Sequence, residues 1–240
     1  MLSGEIPGRL RAVRERVKAA AARAARDPGE VVILGVGKRK PAEAIAEVVR
    51  AGLDHVAESF AQEARDKIPQ VEAMLRETAT APPRWHFVGQ LQRNKARYVA
   101  RLCDCVESVD RIELARELDH RAAIAERQLD ILIQVNLGGE AQKGGVAPDR
   151  VAPLLEECRS CERIRVIGLM TVPPASADPE ASRPVFAALR ELRAELCDRP
   201  GGGALRELSM GMSADFEVAI EEGASIVRVG TAIFGPRERK

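Results

Sequence analysis

The chain has 240 residues, 45% apolar and 30% charged, the balance of an ordinary globular protein. Its 37 basic and 36 acidic residues leave a net charge of +1, which lacks the basic excess that phosphate-backbone binding needs and excludes nucleic acid as the main partner. No run reaches the roughly 18 apolar residues of a membrane span, so no membrane partner is expected. A chain of this length can bury a full core without disulfides or a structural metal. The five cysteines are an odd number without a secretory signal, so reduced thiols in the cytoplasm are expected. Cys158-x-x-Cys161 has zinc or redox spacing, and Cys103 and Cys105 share a face if their segment is a strand. No histidine lies close in sequence, and both pairs read as plain thiols.

Between Leu2 and Arg26, Leu10, Val13, Val17 and Ala20 or Ala21 recur at helical spacing, so a folded amphipathic helix is predicted rather than a leader. Val31–Val36 follows as an apolar run suited to a parallel strand buried on both faces. Pro41 opens a helix to about Ala51, Gly52 closes it, and His55–Ala57 is a short second strand. A helix from about Phe60 to Thr78 is kinked or divided at Pro69. Trp85–Val88 is the third strand, followed by a helix from Asn94 to Leu102. Cys103–Ser108 is the fourth strand, with a helix from Arg111 to Arg127 after it. Ile131–Val135 is the fifth strand, Gly138–Gly145 a glycine-rich loop with a solvated Lys143, and Pro148–Cys158 a helix. Arg165–Met170 is strand six, Pro179–Cys197 a helix, and Pro200–Gly203 an exposed turn. Glu207–Met210 and Ser225–Val229 are strands seven and eight. Eight such runs, each followed by a helix or a helix-sized gap, predict an α/β fold. The expected form is a single (β/α)8 TIM barrel over residues 1–240 with an extra N-terminal helix, and an open doubly wound sheet is the alternative.

In such barrels the working groups lie at the carboxyl ends of the strands. Those ends carry Lys38, Ser59, Asn136, Met170, Ser213, Gly230 and Thr231. Lys38 is either a surface lysine or an amine able to attack an aldehyde, with Arg39 and Lys40 near enough in sequence to favour its neutral form. Gly211, Gly230 and Gly235 are either structural turns or part of a phosphate cradle. The hydroxyls of Ser213 and Thr231 beside them favour the cradle. Arg228, within the eighth strand, needs a partner, either a barrel carboxylate such as Glu58 or an acceptor atom of a ligand. His86 reads as a satisfied core or rim histidine and is left out of the site.

Seven stretches carry a resemblance over nearly the whole chain. They are Val36-Gly-Lys-Arg-Lys-Pro41, Glu58-Ser-Phe-Ala-Gln-Glu63, the stretch from Trp85-His-Phe-Val-Gly to Lys95, and Gln134-Val-Asn136. Gly168-Leu-Met-Thr171, Leu208-Ser-Met-Gly-Met-Ser213 with Asp215-Phe216, and Arg228-Val-Gly-Thr-Ala-Ile-Phe-Gly235 complete the set. Together they resemble the YggS/PROSC family of pyridoxal-phosphate homeostasis proteins, whose barrel is that of the alanine racemase N-terminal domain. The resemblance implies pyridoxal 5′-phosphate as cofactor, Lys38 as its Schiff-base lysine, and Ser213, Gly230 and Thr231 around its phosphate. It also places Arg228 against the pyridine nitrogen and Ser59, Asn136 and Met170 at the cofactor. The family usually has serine where Gly37 stands and asparagine where Ser59 stands, so the chain lacks a hydroxyl at the first position and a side-chain amide at the second.

The resemblance implies a cytoplasmic protein that stores, buffers or delivers the cofactor without known turnover, as monomer or weak homodimer, with pyridoxal-phosphate-dependent apoenzymes as recipients. A small racemase is the enzyme alternative, and a barrel for another phosphorylated metabolite is the third reading. Racemization needs a proton-transfer group on each face of the substrate carbon. Lys38 can serve one, but Tyr98, the only tyrosine, falls in a predicted helix and reads as a packing residue.

Overall fold

Strands and helices alternate along the computed structural model, which describes residues 5–139, 144–199 and 202–236. The chain runs α1 (Glu5–Arg23), β1 (Val32–Val36), α2 (Ala42–Arg50), β2 (His55–Glu58), α3 (Ala61–Arg76), β3 (Arg84–Phe87) and α4 (Ala96–Leu102). It continues with β4 (Cys105–Val109), α5 (Ile112–Ile124), β5 (Leu129–Gln134), α6 (Val151–Cys158) and β6 (Ile164–Met170). It then passes through α7 (Arg183–Cys197), β7 (Glu207–Met212), α8 (Phe216–Glu221), β8 (Ile226–Val229) and α9 (Thr231–Phe234).

β4 and β5 are buried at every position, so they offer no face to water and need cover on both sides. Parallel pairing supplies it: the strands follow each other in order, and β1 closes onto β8 through Val32↔Ile226 and Leu34↔Arg228. The closed barrel is the predicted one, and the open sheet is excluded. Outward strand residues meet the helices in one apolar cluster that includes Val56, Phe87, Val106, Ile131, Leu208 and Val227. Two smaller clusters face inward, Leu34 with Ala57 and Ile226, and Cys105 with Leu132 and Met170. α1 buries Ile6, Leu10, Val13, Val17, Ala20 and Ala21 against α2, α8 and α9, which makes it the extra helix.

The structure corrects some expectations. α3 is not divided at Pro69 but runs as one helix past it. That proline is exposed, so the carbonyl it strands can meet water, while Ala64, Ile68, Val71 and Leu75 hold the helix on the barrel. Cys103 and Cys105 do not share a face: Cys103 ends α4 in the outer cluster and Cys105 points inward. β7 extends through Met212, and its register against β8 shifts between Ser209 and Met212. Lys143, with part of its glycine-rich loop, and Pro200–Gly201 lie outside the described residues. Among the described residues no helix is long and apolar enough to cross a membrane.

Candidate functional site

Lys38 sits half-buried just past β1, in a turn closed by Lys40 N donating to Gly37 O at 3.0 Å. Gly37 N still pairs with Ala57 O, so the turn begins where the sheet ends. A Cβ on Gly37 would meet Ile45 Cδ1 at 2.4 Å and Glu58 Oε1 at 3.2 Å, so Ile45 fills the space that a serine would need. The guanidinium of Arg39 lies 5.6 Å from the Phe60 ring centroid, and Lys40 Nζ donates to Pro236 O at 2.8 Å. These contacts hold both cations at the rim.

On the far side of β1, Ser213 Oγ accepts hydrogen bonds from Gly230 N at 3.2 Å and Ala232 N at 3.4 Å. The serine reaches that place because β7 ends in a bulge, where Gly211 adopts φ +88. A Cβ there would sit 2.5 Å from Ala219 Cβ and 2.9 Å from Phe216 Cα, so glycine is required on both counts. Asp215, buried, locks the loop by accepting from Met212 N at 2.6 Å and Ser182 Oγ at 2.9 Å. Thr231, exposed, begins α9 directly after Gly230. Ser59 follows β2, with its main chain packed on Gly89, where any side chain would collide. Asn136 follows β5 and donates its N–H to Val146 O at 2.9 Å, and Met170 closes β6 with its side chain in the inner apolar cluster. All the candidate residues therefore lie at or near the carboxyl ends of β1, β2, β5, β6, β7 and β8.

Arg228 is 5% exposed, and its partner is not Glu58. Alternation along β2 turns His55 and Ala57 inward and Glu58 outward, where it pairs with Lys67 of α3 at 2.8 Å. Arg228 instead donates to Ser209 Oγ and to Thr171 O, each at 2.7 Å. Ser209 Oγ in turn donates to Glu107 Oε2 at 2.6 Å, and Glu107 Oε1 meets His86 Nδ1 at 2.7 Å. His86 Nε2 lies 3.0 Å from His55 Nδ1, so a hydrogen-bonded chain crosses the barrel between its two inner apolar clusters. Burial alone would push the Glu107 carboxyl up, but the His86 hydrogen bond and charge, the Arg228 charge and the Ser209 hydroxyl outweigh it and hold it below the usual range. Burial and the charges of His86 and Arg84 lower His55 to about 4.

His86 is thus the satisfied core histidine expected, whereas the sequence does not mark Ser209 as the partner of Arg228 or Glu107 as the group behind it. Strand parity was the available signal, since Cys105 and Glu107 share the inward face of β4. His86, Cys105 and Glu107 offer ligand atoms within 4.8 Å of one another, a metal-like grouping. Both Glu107 oxygens are already hydrogen-bonded, and burial raises the Cys105 thiol well above its ordinary value, which disfavours the thiolate a metal needs. Tyr98 lies on α4 between the guanidinium groups of Arg65 and Arg97, 5.5 and 4.6 Å from its ring centroid.

Residues 9–238 match the family model described as alanine racemase, N-terminal domain. The pyridoxal phosphate homeostasis protein of Aquifex aeolicus is 44% identical over 230 residues, covering 96% of this chain and 97% of that protein. The protein of the same name from Pseudomonas aeruginosa is 41% identical, covering 94% of this chain and 93% of its own length. The structure of PipY from Synechococcus elongatus with PLP bound superposes with a TM-score of 0.81 at 33% identity, covering 96% of this chain and all of that one.

Proposed function

Because the chain belongs to the family of pyridoxal phosphate homeostasis proteins, we propose that it binds pyridoxal 5′-phosphate at its carboxyl strand ends and takes part in the storage, buffering or delivery of that cofactor. Lys38 is the residue assigned to hold it covalently. Ser213, Gly230 and Thr231 receive the phosphate, Arg228 faces the pyridine nitrogen, and Ser59, Asn136 and Met170 line the remaining strand ends. The donor set fits the group: an amine for the aldehyde, hydroxyls and main-chain N–H groups for the phosphate, and a guanidinium for a ring acceptor. When bound, the cofactor supplies an electrophilic carbonyl carbon and an electron-withdrawing ring.

The observation that carries a binding role is the fixing of Arg228 by Ser209 and Thr171 O, with Glu107 behind Ser209. Guanidinium can only donate, so a pyridine nitrogen facing Arg228 keeps its lone pair and the ring withdraws electrons weakly. Tyr98, on the helical exterior, is not placed to serve as the second group of a racemase. Residues 1–240 act as one cofactor-binding domain in this reading, as a cytoplasmic monomer or weak homodimer, with pyridoxal-phosphate-dependent apoenzymes as recipients. The described cysteines are free thiols, which suits a reducing compartment.

A titration of the purified protein with pyridoxal 5′-phosphate tests the assignment. Wild type develops a saturable visible absorption band and Lys38→Ala does not. Equal bands in the two proteins would move the covalent site elsewhere.

A further inference from the structure

Lys67 lies on the barrel-facing side of α3, 7% exposed, where an ammonium without partners is costly. Its Nζ donates to Gly37 O at 3.0 Å, Glu58 Oε1 at 2.8 Å and Glu63 Oε1 at 2.7 Å. An ammonium carries three hydrogens, so this one is fully used. Its acceptors come from the turn after β1, the end of β2 and the first turn of α3.

Two of these contacts bear on the turn that holds Lys38. Gly37 O, on the residue before Lys38, takes Lys67 Nζ in addition to Lys40 N. Glu63 Oε1, the other acceptor, also receives Arg39 N–H from the residue after Lys38, at 2.7 Å. Both neighbours of Lys38 are therefore tied to one ammonium, directly on one side and through a carboxylate on the other. Arg39 adopts φ +60, a conformation a non-glycine residue keeps only where its surroundings enforce it.

Holding α3 on the sheet does not require this cluster, because Ala64, Ile68, Val71 and Leu75 already bury that face. The cluster is also costly. Glu58 Oε2 is buried without a hydrogen-bond partner, and burial lifts the Glu58 carboxyl to about 7 against the pull of Lys67. Buried ion pairs add little net stability, so geometry is the property gained.

We propose that Lys67, Glu58 and Glu63 form a positioning cluster that fixes the 37–40 turn and so aims the Lys38 amine at the aldehyde carbon of a bound phosphate ester. This rests on the assignment of Lys38 as the covalent residue. In the step so aimed, the neutral Lys38 nitrogen forms a double bond to that carbon, and the carbonyl oxygen leaves as water with both amine hydrogens. None of the three side chains touches the reacting atoms.

The test compares the full wild-type chain with Lys67→Met, Glu63→Ala and Glu63→Gln. Glu63 is part-exposed in the first turn of α3, so its variants keep the fold. Cofactor-free protein is mixed with pyridoxal 5′-phosphate, the rise of the visible band is timed, and hydrogen exchange at the Arg39 and Lys40 amides is measured separately. Lys67→Met and Glu63→Ala should attach the cofactor about tenfold more slowly, the scale of a lost positioning contact. Their Arg39 and Lys40 amides should exchange about tenfold faster in the cofactor-free state. Glu63→Gln keeps an acceptor for Arg39 N–H and should return Arg39 exchange to within about twofold of wild type. Wild-type attachment rates and exchange in both Lys67→Met and Glu63→Ala would overturn the clamp alone. A wild-type chain that forms no adduct at Lys38 would overturn the cofactor assignment and the proposal with it.

Discussion

Outside the strands, one apolar cluster packs the helices onto the barrel and is interrupted by the charged group of Lys67, Glu58 and Glu63. Inside the strands the arrangement is inverted: two small apolar clusters flank a polar chain from His55 to Arg228. The outer layer buries far more hydrocarbon and carries most of the stability. The inner chain contributes less to stability and sets the direction and field of one arginine. Lys38 is braced from the outer layer and Arg228 from the inner one, so the two faces of the barrel can be perturbed separately.

The largest expected effect comes from the outer layer. Phe186→Ala, at a fully buried position of α7, should lower unfolding free energy by about 3–5 kcal/mol in denaturant melts while leaving the visible band of the loaded protein in place. Glu107→Leu breaks the inner chain and takes from a buried guanidinium the stronger of its two nearby anions, which should cost about 3 kcal/mol. Unlike the first change, it should also shift the visible band, because Arg228 loses its support. An unshifted band in Glu107→Leu would sever the link between the inner chain and the cofactor.

Much of the barrel was legible because apolar runs such as Val31–Val36 and Ile131–Val135 suit parallel strands covered on both faces. The carboxyl-end rule then placed Lys38, Ser213 and Gly230 correctly on the fold. The features that the sequence does not show depend on contacts distant along the chain. Ser209 and Glu107 are 102 positions apart, and no local pattern marks them as partners. Lys67 looks like any solvated helix lysine until the turn after β1 is folded over it. Pairing Arg228 with Glu58 failed on parity, since a four-residue strand gives little alternation to read.

The two layers also carry opposite pH dependence. His55 is lowered from 6.5 to about 4, so its contribution to stability is present above 6.5 and is lost as pH falls through 4. Glu58 is raised from 4.5 to about 7, so its contribution is present below 4.5 and is lost as pH rises through 7. Between 4.5 and 6.5 the slopes oppose each other. Glu58→Gln should therefore make stability climb more steeply with pH across that window, and His55→Gln should make it fall. Parallel curves for the wild type and both variants would mean that neither group titrates as described.

The smallest expected effect is at Gly37. Gly37→Ser should cost about 1 kcal/mol, because the added Cβ pushes on the flexible end of Ile45. Ile45→Val in the same chain should recover most of it, as read by thermal melting. Failure of that rescue would place the constraint at Glu58 Oε1, the other near atom.

The central claim is tested most directly by borohydride reduction of the cofactor-loaded protein, followed by proteolysis and mass mapping of the labelled peptide. The account predicts one stable pyridoxyl adduct, on Lys38. A label on another lysine, or none after incubation with excess pyridoxal 5′-phosphate, would contradict it.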